Sequence, residues 1–234
     1  MIRVRRSEER GHANHGWLDT YHTFSFADYQ DPRFDNFGAL RVINEDFVAP
    51  GRGFSTHGHR DMEIVTVVLE GLLEHKDSMG TGSLIRPGEV QLMSAGSGVL
   101  HSEFNASEDE RLHLLQMWVY PAKNGGAPRY EQRDFSPGQR NNQLLLVVSP
   151  DGAADSLTIG QDASLFVGSI DEGAQVDHRT ARERMAWLHV TKGAITIGDV
   201  QLGAGDGAAI VGEDAIEIAA AATSDFVLWE VARE

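Results

Sequence analysis

Two short segments carry side chains whose types and spacing suit chemistry. One is Thr56-His57-Gly58-His59-Arg60-Asp61-Met62-Glu63, the other Gly96-Ser97-Gly98-Val99-Leu100-His101-Ser102-Glu103. Each holds two metal-ligating residues at i and i+2. On an extended strand, residues two apart point to the same face. His57 and His59 can therefore converge from one strand, and His101 and Glu103 from another. Two neighbouring strands would then aim four ligands at one point inside a barrel. Three imidazoles and one carboxylate, with no thiolate, suit Fe(II), Mn(II), Ni(II), Cu(II) or Zn(II), and the set alone does not choose among them.

Other titratable groups lie nearby. Glu63 shares the parity of His57 and His59 if that strand runs straight, which makes it a fifth ligand, a partner to a histidine or a barrel-end carboxylate. His75, in Glu74-His75-Lys76-Asp77, reads as a solvated hairpin histidine. His113 lies on a strand expected to reach Tyr120 and reads as a hydrogen-bonded core residue or a partner to a ligand. His12, His15 and His22 are expected near the barrel mouth. The aromatic residues Trp17, Tyr21, Phe24, Phe26, Tyr29, Phe34 and Phe37 are expected to form core and lid.

The elements that must position these residues are short. Apolar, β-branched runs end at Gly, Pro, Asp or Asn: residues 63–70 before Gly71, 143–149 before Pro150, 187–191 before Lys192-Gly193, and 194–197 before Gly198. Such punctuation predicts an all-β barrel or sandwich. Helices are expected only as caps at the barrel ends, with residues 180–184 one candidate. A Gly- and Pro-rich stretch at 122–142 reads as a linker or long loop. A repeat is visible around it. Gly71 is followed 17 residues later by Gly88, and Gly193 is followed 12 residues later by Gly205, each pair enclosing strand-like runs. Eight of the ten histidines precede this stretch; only His178 and His189 follow it, so any metal site belongs to the first half.

Composition excludes several classes. The 234 residues carry 20 basic and 35 acidic side chains, a net charge of −15, which disfavours nucleic acid and anionic membranes. Cysteine is absent, so disulfides, thiolate metal sites and cysteine nucleophiles are excluded. No serine-hydrolase elbow or phosphate-binding loop is present. The N-terminus lacks a secretory leader pattern, and the expected compartment is a reducing cytoplasm.

The stretch from Gly53 through His57, His59 and Glu63 to Gly71 resembles the first cupin motif, and Gly88 through His101 to Asn105 the second. The strings Thr23-Phe-Ser-Phe-Ala27, Gly38-Ala-Leu-Arg-Val-Ile43, Met93-Ser-Ala-Gly-Ser-Gly98 and His101-Ser-Glu103 resemble the pirin family of bicupins, in particular its bacterial quercetin dioxygenase-like members. The resemblance is dense over residues 10–125 and looser beyond. It implies an all-β bicupin: two packed double-stranded β-helix (jelly-roll) barrels with few short helices. The N-terminal barrel, 1–130, would hold the metal, and the C-terminal one, 131–234, would lack ligands. The implied ligands are His57, His59, His101 and Glu103, with Glu103 the leading catalytic base and Glu63 the second. The expected cofactor is one divalent transition metal, Fe(II) in first place, with Mn, Ni, Cu and Zn open. The implied activity is cleavage of a flavonol such as quercetin by O2, releasing carbon monoxide. Two other readings stand beside it: a metal-loaded regulatory protein that binds a protein partner, and a cupin isomerase acting on a sugar or small acid.

Overall fold

The computed structural model describes residues 1–136, 138, 141–181 and 183–233. The chain forms two compact units. The N-terminal unit comprises Gly11–Ser136 and Ile159–Gln161; the C-terminal unit comprises Met1–Arg10, Pro137–Thr158 and Asp162–Glu234. The first ten residues thus leave the barrel expected over 1–130. Strand β1 (Ile2–Arg5) explains why: its backbone ladders onto Gly207–Ile210, and Ile2 and Val4 pack on the core of that unit.

Strands β2 (Gly11–Asn14), β3 (Leu18–His22), β4 (Leu40–Val48), β5 (Gly53–His59), β6 (Glu63–Glu70) and β7 (Leu73–Asp77) follow in the N-terminal unit. It is completed by β8 (Gly82–Ile85), β9 (Glu89–Ser94), β10 (Val99–Asn105), β11 (Leu112–Val119) and β12 (Arg129–Asp134). They form a seven-stranded sheet, β12-β9-β6-β11-β4-β3-β2, and a four-stranded sheet, β5-β10-β7-β8. Strand β12 lies inside the stretch expected as a linker. It pairs with β9 from Arg129↔Ser94 to Asp134↔Glu89, giving that sheet its edge. Within the same stretch, residues 137, 139 and 140 lie outside the described ones.

The C-terminal unit adds β13 (Gln143–Ser149), β14 (Leu157–Thr158), β15 (Ala163–Ile170), β16 (Gln175–Arg179), β17 (Arg184–Lys192) and β18 (Ala194–Ile197). It ends with β19 (Val200–Gly203), β20 (Gly207–Val211), β21 (Ala215–Ala220) and β22 (Ser224–Ala232). Its sheets are β1-β20-β17-β22-β15-β13-β14 and β16-β21-β18-β19. The strand orders of the two units match: β4 to β11 correspond in sequence to β15 to β22. The repeat suggested by the glycine spacing is therefore a repeated jelly roll, and the all-β expectation holds.

Strand formation follows the side-chain alternation. In β10, Val99, His101, Glu103 and Asn105 are buried, while Leu100, Ser102 and Phe104 are not. That is the period of two that sets one face inward. The expected helix at 180–184 does not form among the described residues; Arg184 instead opens β17, and residue 182 lies outside the description. Single 3-10 turns occur at Ser7–Glu9 and Ala153–Asp155. No described helix is long and apolar enough to cross a membrane.

Candidate metal centre

The four-stranded sheet of the N-terminal unit carries the four expected ligands on two paired strands, β5 and β10. In the β10–β5 ladder, His101 pairs with His57 and Val99 with His59. The register then slips between His101 and Glu103, so that Glu103 faces Phe54. A bulge of this kind re-aims side chains beside a site. The approach of β5 to β10 depends on Gly53. A Cβ there would lie 2.2 Å from the Glu103 carbonyl oxygen, so any side chain would push the strands apart.

The rings of His57, His59 and His101 form a close triangle, with centroids 4.4 to 4.9 Å apart. His57 donates from Nδ1 to the Ser55 carbonyl at 2.9 Å, which leaves its Nε2 lone pair for the cluster. That Nε2 lies 3.0 Å from His101 Nε2. Ring nitrogens this close need a shared proton or a shared cation. Burial lowers His59 to about 4, with His57 adding to the shift. Burial likewise lowers His101 to about 3, and His57, His59 and His75 add to it. These imidazoles are neutral at neutral pH, the form that ligates metal.

Glu103 is buried behind them. Its Oε2 accepts from Gln116 Nε2 at 2.7 Å. Burial raises the carboxyl to about 7, Asp46 adds to the rise, and the Gln116 bond opposes it. Two overlapping sets of potential ligand atoms lie within 4.8 Å of one another: His57, His59 and His101, and then His75, His101 and Glu103. His101 is the member they share.

His75 is therefore no solvated hairpin residue. It is fully buried on β7, directly opposite Glu103 in the ladder. Its Nδ1 accepts from Gln91 at 2.9 Å and its Nε2 donates to Asp77 at 3.2 Å. Both nitrogens are engaged, so His75 supports the cluster from behind. The alternation of Leu73 with His75 on one face of β7 was the signal for it.

Glu63 takes no part. The strand breaks at Asp61, whose φ is +50°, so the parity with His57 and His59 is lost. Glu63 opens β6 in the other sheet, where it accepts from Ser94 Oγ at 2.8 Å and lies against Gly160. His113 is satisfied by Glu45 at 2.9 Å and stacked on Phe47. His12 pairs with Asp19.

The cluster opens onto a cavity of about 460 Å³. This is the size of a small-molecule site, which runs from roughly 300 to 1,000 Å³. Trp17, Phe26, Phe54 and Trp118 give it apolar walls, and His15 and His22 also reach it. Phe24 and Phe34, in contrast, are buried in the core. The polar side chains of Thr20, Asn44, Asp46 and Gln116 complete the lining. None of Thr20, Asn44 or Asp46 was singled out from sequence, because Asn44-Glu45-Asp46 is an unbroken polar run and Thr20 stands between Asp19 and Tyr21, patterns that do not mark an inward-facing side chain.

Sequence comparison bears on this site. Residues 3–119 match the profile of the family described as Pirin, and residues 146–231 that of the Quercetinase C-terminal cupin domain. The chain belongs to the pirin family. Among its relatives, quercetin 2,3-dioxygenase of Escherichia coli K12 is 51% identical over 231 residues, covering 99% of both chains. A pirin-like protein of Caulobacter vibrioides is 38% identical, over 99% of this chain and 100% of its own. The crystal structure of the bacterial pirin YhhW from Escherichia coli in complex with nickel(II) is similar over the full length of both chains, with a TM-score of 0.95 and 49% identity. In this pirin, among the described residues, no group of three potential ligands occurs in the C-terminal unit.

Proposed function

We propose that this pirin is a metal-dependent dioxygenase that cleaves a flavonol such as quercetin with O2, releasing carbon monoxide. The observation that carries the reading is a pair of overlapping ligand sets, His57-His59-His101 and His75-His101-Glu103, beside an aromatic cavity lined by His57, His59 and Glu103. The 51% identity to a quercetin 2,3-dioxygenase supports it.

The residues suit a divalent transition ion. His59 Nε2 and Glu103 Oε1 are buried without a hydrogen-bond partner, and buried polar atoms are rarely left so. The set is nitrogen and oxygen only, which fits Fe(II), Mn(II), Ni(II), Cu(II) or Zn(II). His57, His59, His101 and Glu103 would hold the ion. When bound, the ion supplies Lewis acidity toward a substrate hydroxyl and, where redox-active, an electron path to O2.

The chain's own residues do the rest. Trp17, Phe26, Phe54 and Trp118 hold the flat rings of the substrate and exclude bulk water. The Glu103 carboxylate takes the proton of the substrate's 3-hydroxyl, leaving the flavonolate. Gln116 donates to Glu103 Oε2, so the carboxylate stays aimed. His75, held by Gln91 and Asp77, keeps Glu103 and His101 from rotating away.

The experiment is aerobic turnover of quercetin by protein loaded separately with each of the five ions. Flavonol absorbance and carbon monoxide are followed together. Metal-free protein and His101→Ala are the controls, and both are expected to be inactive, with His101→Ala retaining no stoichiometric metal. Stoichiometric metal in both His57→Ala and His101→Ala would overturn the ligand assignment. Metal binding without turnover by any ion would overturn the dioxygenase reading.

A further inference from the structure

Asp46 is a buried carboxylate that the proposed reaction does not use. It lies on β4, only 4% exposed, and lines the cavity into which the ligand cluster opens. The cluster sits on the four-stranded sheet and Asp46 on the seven-stranded one, so the two reach the cavity from different sheets. The Thr20 hydroxyl donates to the carboxylate from β3. Oδ1 has no partner. A buried acceptor without a donor is costly and calls for a reason.

The fold supplies none. In the β4–β11 ladder Asp46 pairs with Leu114. At the matching place in the C-terminal unit, Gly168 pairs with Phe226. The jelly roll closes there without any carboxylate. Neighbouring charges do not satisfy it either: Glu45 and Glu103 repel it, while His113 attracts it but is already bonded to Glu45. Burial raises Asp46 to about 6, so above that pH it is ionised and purely an acceptor.

We infer that Asp46, braced by Thr20, is the specificity residue of this cavity: its Oδ1 accepts a hydrogen bond from a phenolic hydroxyl of the substrate other than the one at the metal. The enzyme then selects flavonols hydroxylated on their outer rings over the unsubstituted skeleton. A hydroxyl-to-carboxylate bond is of the strong, charge-assisted kind. A site built for such a hydroxyl rejects the analogue that lacks it. This inference rests on the flavonol reading above.

The test compares quercetin with 3-hydroxyflavone, which keeps only the 3-hydroxyl. Nickel(II)-loaded wild type and Asp46→Asn are each assayed for kcat/KM on both. In the variant, the amide oxygen takes the Thr20 donor and an N–H group faces the cavity. An acceptor becomes a donor with little change in shape. The ratio of kcat/KM for quercetin to that for 3-hydroxyflavone is expected to fall by about 10- to 100-fold. Any general effect of the lost charge on the metal or on Glu103 cancels in that ratio. A ratio within about twofold of wild type overturns the inference. If Asp46→Asn does not fold, Asp46→Ser provides the same comparison. If wild type turns over neither compound, dissociation constants from calorimetry replace kcat/KM. Discrimination in binding alone would then overturn the dioxygenase reading and uphold the role of Asp46. Binding of neither compound overturns both.

Discussion

At the place where Glu103 pairs with His75 in the N-terminal unit, Ile218 pairs with Ile197 in the C-terminal one. Where His101 faces His57, Ile216 faces His178. Gln116, the partner of Glu103, is matched by Leu228, and Gln91, the partner of His75, by Ala208. Even the register slip near the start of β11 recurs in β22. All five apolar replacements belong to one buried cluster. One jelly roll thus fills its interior with packed side chains, and the other keeps polar groups there around a cavity. Of the ring set, only His178 survives in the second unit, 3.2 Å from Glu230. The topology therefore does not need the polar interior, and its cost must be offset by what binds there.

The strongest test moves a polar group across. Ile218→Glu places a carboxyl where the C-terminal unit has neither Gln116 nor His75 equivalents, at a site with no exposure. The expected loss is about 3 kcal/mol or more in denaturant unfolding, since the acid is buried unpaired and the packing around Ile218 is broken. A loss below about 1 kcal/mol would show that this interior accepts a carboxyl, and the contrast would fail.

The reverse exchange is gentler. Glu103→Ile with Gln116→Leu gives the N-terminal unit the residues of the C-terminal one. It removes an unpartnered carboxyl oxygen together with the amide that bonds the other oxygen. It also removes the bond from Trp118 Nε1 to Gln116, a loss of about 1 kcal/mol. Replacing both partners of a buried hydrogen bond by apolar groups of similar shape can be nearly neutral or stabilising. The metal-free double variant is therefore expected to melt at or above the metal-free wild type. Nickel(II) should raise the melting temperature of wild type and leave the variant unchanged. A metal-free variant less stable by more than about 2 kcal/mol would show that the carboxyl–amide pair stabilises the fold itself.

Local periodicity made part of this legible. Strands 63–70, 143–149 and 194–197 follow from their apolar runs, and they coincide with β6, β13 and β18. The closeness of His57, His59 and His101 follows from spacing on two strands that happen to be neighbours, whereas Glu103 groups with His101 and His75. What escaped depended on tertiary facts. The polarity of Glu74-His75-Lys76-Asp77 suggested water, yet Leu73 and His75 share the inward face of β7, where His75 meets Gln91 from the other sheet. Parity tied Glu63 to the histidines only until Asp61 turned the chain. Residues 129–134 look like linker because their sequence lacks an apolar face. They form a strand because β9 offers a free edge. The isoleucines that stand in the second unit at the places of His75, His101 and Glu103 were not legible, since an apolar strand position carries no mark of what its counterpart holds.

His75 gives the finest discrimination between the two interiors, because it separates ligand from support. Its imidazole belongs to one of the two sets of potential ligand atoms, yet Gln91 and Asp77 occupy both ring nitrogens. If those bonds persist in the loaded protein, His75→Leu should still bind one nickel(II) per chain. The affinity should fall by about 10-fold, the effect expected when a residue that orients ligands is lost. His75→Gln, which can still bond Gln91 or Asp77, should recover part of it. Competition against a chelator of known affinity reads both constants, and the metal content reads the stoichiometry. Complete loss of metal in His75→Leu, with the fold intact by circular dichroism, would make His75 a ligand in its own right. The cluster would then centre on His75, His101 and Glu103, and His57 and His59 would become the outer wall of the site.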